Sequence, residues 1–184
     1  MDDVCGGDWW RDLSEDSGSA EEASQRIAKS NLAQLATASG TNGWVIDVRN
    51  AEHHKPKYSL VFLSRHRNGM ISFGEAVSKS SEEWPQAVVE PGTLLDDPDT
   101  FRKAELELAT QWVVQIKTNI SDLLVREASV PIGAGYKSIM SGVLGQAREM
   151  HVRKAVKELY VSGVTTFNGV TPNGMKLWDQ VITR

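Results

Sequence analysis

The chain has one cysteine, six prolines and only 7% aromatic residues in 184 positions. A lone Cys5 excludes an internal disulfide and cannot build a cysteine zinc site. No apolar run is long enough to cross a bilayer. The N-terminus is acidic and polar, so it does not read as a signal peptide. These absences point to a cytoplasmic, reduced setting with no membrane partner. The chain also lacks a complete phosphate loop or dinucleotide fingerprint, so no cofactor is expected. His53 and His54 are adjacent and have no third ligand spaced to join them, so no metal is expected either. No residues form a convincing catalytic set. Asp8, Asp47 and Glu75 make no paired-carboxylate pattern, and Cys5 has no nearby base to activate it.

What is present is ordinary globular composition, 40% hydrophobic and 24% charged, with an uneven charge distribution. Met1 to Ala128 carries 13 Lys+Arg against 21 Asp+Glu, whereas Ser129 to Arg184 carries 7 against 3. Such a split suggests two modules with different partners. The expected division is residues 1–90, a linker over 91–98 rich in breakers such as Pro91, Gly92 and Pro98, and a second region over 99–184.

In the first region a helix is expected from about Ala20 to Ala38. Ile27, Leu32 and Leu35 would face a core, and Gly40 to Gly43 would stop it. Trp44–Val48 and Tyr58–Leu63 read as strands, with a polar loop from Arg49 to Lys57 between them. Their continuous apolar character suggests burial on both faces, as in a parallel sheet. That pattern predicts an α/β fragment, a partial Rossmann-like sheet with helices. It also predicts a partner chain completing the sheet, or a homo-oligomer. A helix should follow from about Met70 to Lys79, closed by Trp84-Pro85.

The second region opens with a long helix over about 99–127, with Leu106, Ala109, Val113, Ile116, Ile120, Leu123 and Leu124 at helical spacing. Ser129–Ile132 is extended. Gly133-Ala134-Gly135 reads as a turn entering a helix over Tyr136–Leu144. A basic helix follows over about Ala147–Ser162, its apolar face set by Val152, Ala155, Val156 and Leu159. Val164–Phe167 and Met175–Ile182 would form a hairpin with turns at Asn168-Gly169 and Asn173-Gly174. This order predicts a winged helix-turn-helix domain. In such domains the second helix of the motif meets the major groove. The candidate nucleic-acid-binding residues are Arg148, His151, Arg153, Lys154 and Lys157 on the basic helix, with Lys176 on the wing. DNA or RNA is one expected partner and a protein is the other.

Several segments together resemble the three-Cys-motif partner protein family. They are Gly6-Gly7-Asp8-Trp9-Trp10-Arg11, Trp44 to Asn50, and Tyr58-Ser59-Leu60-Val61-Phe62-Leu63-Ser64-Arg65-His66. Gly69-Met70, Glu75-Ala76 and His151 to Leu159 complete the set. The resemblance implies a Rossmann-type methyltransferase-like protein followed by a winged helix, of which this chain is similar only to the later part. The glycine-rich element that would hold a methyl donor has no counterpart here. The expected function is therefore a non-catalytic winged-helix binding protein contacting nucleic acid or a partner protein. The alternative is the carboxyl half of a split methyltransferase-type enzyme, in which Arg65, His66 and Arg67 at a strand end could reach a substrate phosphate.

Overall fold

The computed structural model describes residues 1–48, 55–88 and 98–184. They form a predominantly helical protein with two short antiparallel two-stranded sheets, divided into two compact units, Met1–Met70 and Ile71–Arg184. No helix among the described residues is long and apolar enough to cross a membrane.

The first unit begins with two short helices, α1 (Asp2–Cys5) and α2 (Trp10–Glu15). The Trp9 indole donates to the Cys5 carbonyl at 2.8 Å, and Arg11 pairs with Asp2 at 2.7 Å. Cys5 is thereby buried rather than carried on a loose terminus. Helix α3 (Ala20–Ser39) starts where the Ser19 hydroxyl accepts the Glu22 N–H at 3.1 Å. It stops at Gly40, whose left-handed φ of 62° suits glycine. Leu35, expected in a core, is exposed.

Strands β1 (Asn42–Val48) and β2 (Tyr58–Ser64) pair antiparallel, with Gly43 opposite Leu63 and Asp47 opposite Ser59. This corrects the expected Rossmann-like fragment. Parallel strands need a crossover of about a dozen residues or more, and only nine separate Val48 from Tyr58. Nor are the strands buried on both faces. Helix α3 backs one face: a Cβ on Gly43 would collide with Leu32, and Gln25 donates to Asp47 at 3.2 Å. By pleat alternation Trp44, Ile46, Val48, Tyr58, Leu60 and Phe62 lie on the other face.

The unit boundary falls inside α4 (Arg67–Val88). That helix continues well past the expected stop at Lys79 and includes Pro85. Most of the expected 91–98 linker lies outside the described residues; Pro98 itself opens α5 (Pro98–Arg126). Val113, Ile116, Ile120 and Leu124 of α5 are buried at helical spacing, as their period requires, whereas Leu106 is exposed. Next come β3 (Ser129–Pro131), α6 (Tyr136–Ile139), α7 (Glu149–Val161) and β4 (Val181–Thr183).

The expected winged helix is not formed. Helix α6 is a single turn that ends at Ile139, and the chain then passes through left-handed glycines at Gly142 and Gly145, with φ of 83° and 79°, before α7 begins. No strand forms at Val164–Phe167. Side chains there bond the local backbone: Thr165 Oγ1 accepts the Phe167 N–H, and Asn168 Oδ1 accepts the Val170 N–H. Such bonds compete with a ladder. The return segment is not a continuous strand: Leu177–Asp179 form a 3₁₀ turn that buries the adjacent Leu177 and Trp178 together, where a hairpin strand with one open face would leave one of them outward. The last strand, β4, pairs instead with β3, Val130 opposite Ile182. Among the described residues there is neither a methyltransferase-like sheet nor a closed winged helix.

Candidate binding surface on the basic helix

Helix α7 is amphipathic. Val152, Ala155, Val156 and Leu159 are buried on its inner face. His151 joins them at 6% exposure, set edge-on against the Trp112 ring of α5 at 5.2 Å. The imidazole Nδ1 accepts the backbone N–H of Arg148, the residue that caps the helix, at 2.9 Å. Burial depresses the His151 pKa, and the nearby positive charges of Arg148 and Lys154 depress it further. A neutral ring with its proton on Nε2 follows, since an Nδ1 that accepts a bond carries no proton.

The start of α7 is tied down from α4 as well. The Glu75 carboxylate accepts the Glu149 N–H at 2.7 Å, where a negative charge also meets the positive end of the helix dipole. The Ser78 hydroxyl, buried, donates to the Gln146 carbonyl. The Trp112 indole donates to the Gln146 side chain at 3.1 Å. Helices α4 and α5 thus both hold the turn that launches α7.

These contacts sort the six sequence candidates. His151 is buried, not outward as its basic neighbours suggested. Arg148 is half-buried at the helix cap. Arg153 is engaged: its guanidinium meets Glu149 at 2.6 and 2.8 Å and the Gly169 carbonyl at 3.1 Å. It braces the 168–169 turn against the helix. Lys154 and Lys157 are exposed on α7, and Lys176 is exposed ahead of the 3₁₀ turn.

The two helical lysines share a stripe with residues that charge reading passed over. Met150, Lys154, Lys157 and Val161 recur at i, i+4, i+7 and i+11, opposite the buried face. Met150 is 60% exposed and Val161 77% exposed. This spacing is present in the sequence, where charge marks only its two lysines. Glu158, beside this stripe, is paired with Lys117 of α5 at 2.8 Å.

Among the described residues the other candidates form no assembled site. Among the described residues no group of three metal-binding side chains occurs. His53 and His54 lie outside the described residues. Gly133-Ala134-Gly135 is a turn, closed by the Gly135 N–H on the Pro131 carbonyl at 2.8 Å. Tyr136 is buried edge-on to Trp178 at 5.1 Å, and burial, with Glu75 adding to it, pushes its hydroxyl well above the ordinary range. Its hydroxyl lies so close to Gly74 of α4 that a Cβ there would clash. Among the described residues one surface concavity is lined by Leu106, Glu107, Thr110 and Gln111 of α5.

Comparison with known protein families, with curated proteins and with solved structures returns no match.

Proposed function

We propose that this chain is a non-catalytic binding protein whose contact surface is the outward stripe of α7, and that its partner there is a protein. The observation that carries this reading is the stripe itself. Two lysines stand between a methionine and a valine that are both mostly exposed. Burying those ends supplies affinity, and the lysines supply orientation and selection for an acidic partner. A stripe of four at this spacing suits an amphipathic helix laid along α7.

Nucleic acid is the second reading. It is favoured by the excess of 7 Lys+Arg over 3 Asp+Glu beyond residue 128 and by the exposed Lys154, Lys157 and Lys176. Lysines meet phosphates without reading sequence. The side chains better suited to base edges, His151 and Arg153, are occupied within the fold.

The test is affinity capture with the wild type, with Val161→Glu and with the pair Lys154→Glu, Lys157→Glu, reading bound protein and bound nucleic acid separately. The protein reading requires a partner lost in both variants and insensitive to nuclease. Duplex DNA and RNA titrated at two salt concentrations test the second reading, which requires affinity that falls steeply with salt.

A further inference from the structure

Strand β2 offers a second contact surface, independent of α7. Its seven residues, Tyr58–Ser64, contain no charge, proline or glycine. Among the described residues its sheet holds only β1 and β2, so β2 has a strand on one side alone. Proteins commonly blunt such an edge with a lysine or proline inside the strand, and β2 has neither. Its cations stand just outside it: Lys55 and Lys57 before the strand and Arg65 after it, all exposed. On the face away from α3, Tyr58 is 59% and Leu60 43% exposed. The one charge on β1, Asp47, is turned to the α3 side, where Ser59 and Gln25 both donate to it.

We propose that β2 receives an extended segment of another protein as a third strand, and that this segment is uncharged over its middle and acidic at both ends. An added strand gains main-chain bonds along the edge, and alternate side chains give selectivity. It would also convert a two-stranded ribbon into the three-stranded sheet that stands more securely in water.

Charge decides between possible occupants. A second copy pairing β2 antiparallel with β2 would set Lys57 against Arg65 at both ends. Parallel pairing would set Lys57 against Lys57 and Arg65 against Arg65. Either arrangement places like charges together, which is destabilising across strands. An acidic-ended segment neutralises both ends. The strand rise of about 3.3 Å per residue separates Lys57 from Arg65 by roughly 26 Å, so the acids should lie about eight residues apart.

The experiment titrates the full chain against labelled nine-residue peptides, read by fluorescence anisotropy. One probe alternates valine and threonine with a glutamate at each end. The second has lysine at each end, and the third is the acidic probe with a central proline. The acidic probe should bind at least about tenfold more tightly than the lysine probe, a gap that two rim charge contacts can supply. The proline probe should lose binding, since it lacks a main-chain donor. The double variant Lys57→Glu, Arg65→Glu should reverse the order of the first two probes. If that variant fails to fold by circular dichroism, the milder pair Lys57→Ala, Arg65→Ala should close the gap. Equal binding of acidic and basic probes overturns the proposal, as does indifference to the proline. So does absence of binding by the acidic probe at about 1 mM. Sedimentation provides the remaining arm: the wild type should stay monomeric. A dimer that Leu60→Lys dissolves would assign the edge to a second copy and overturn the proposal.

Discussion

The Nδ1 atom of His151 accepts the backbone N–H of Arg148 at 2.9 Å, so the first turn of α7 is closed by a histidine that must be neutral to close it. The ring is at once cap and core, packed on Trp112. Its state therefore bears on whether the proposed binding helix starts in the right place.

Acidification should destabilise the second unit through this residue. The ordinary histidine pKa is 6.5, and in the folded chain that of His151 is lower. Below 6.5 the unfolded chain takes up a proton that the folded chain refuses, so stability is complete above 6.5 and falls as pH drops toward the folded value. One such proton gives at most about 1.4 kcal/mol per pH unit. His151→Gln keeps an acceptor for the Arg148 N–H at the position where a capping box favours glutamine, and cannot titrate. Urea unfolding at pH 7.5 and 5.5 should show a smaller loss on acidification in His151→Gln than in the wild type. An identical loss would remove His151 as the cause. His151→Ala, which forfeits both cap and ring contact, should cost about 2 kcal/mol at pH 7.5.

Gly74 and Tyr136 should behave as a coupled pair. A methyl group on Gly74 would collide with the Tyr136 hydroxyl oxygen but lie 3.4 Å from the ring carbon bearing it. Gly74→Ala should therefore destabilise by about 1–3 kcal/mol, the usual range for overpacking. Tyr136→Phe, by deleting that oxygen, should recover much of the loss in the double variant. A double-mutant cycle read by thermal or urea unfolding checks this, and strict additivity would deny the contact.

Tyr136 also sets an alkaline limit. Its hydroxyl, buried and near Glu75, ionises only far above the ordinary value of 10.0. Above pH 10 the unfolded chain releases a proton that the folded chain retains, so stability present below pH 10 is lost as pH rises. Tyr136→Phe should flatten the alkaline arm of the stability profile; an unchanged arm would place the limit elsewhere.

Arg153 and Lys154 are sequence neighbours with different expected roles. Arg153→Met removes the brace on the Gly169 carbonyl and should cost about 1 kcal/mol, with faster amide exchange around Gly169. Lys154→Ala and Lys157→Ala, both on the open stripe, should change stability by no more than about 0.5 kcal/mol. A larger loss from either lysine would show that it is part of the fold rather than of a contact surface.

Helix periods and caps were legible in the chain. The run Val113, Ile116, Ile120, Leu124 marks the inner face of α5, and Ser19 with Gly40 bounds α3. The antiparallel sense of β1 and β2 was implicit in the short gap between them, although their apolar density suggested the opposite. The wing was misread because Asn168-Gly169 is a hairpin signal only if strands flank it. Here Thr165 and Asn168 satisfy the local backbone and Gly169 is pressed against α7, where a Cβ would lie 3.1 Å from the Arg153 carbonyl. For the candidate surface, charge pointed to Lys154 and Lys157, which are exposed. It also selected His151 and Arg153, whose partners decide their roles and are set by tertiary structure. The Glu75 bond to Glu149 and the Gly74 contact with Tyr136 join residues more than sixty positions apart, with no local signature.

The most direct measurement is quantitative affinity capture with nuclease present, comparing the wild type with Val161→Glu and with Lys154→Glu, Lys157→Glu, each first shown to be folded. A protein partner retained by the wild type and reduced at least about tenfold in both variants is the predicted result, because an apolar anchor and a rim charge fail by different physics at one surface. Retention of every bound protein by both variants would contradict the assignment of the α7 stripe as the contact surface.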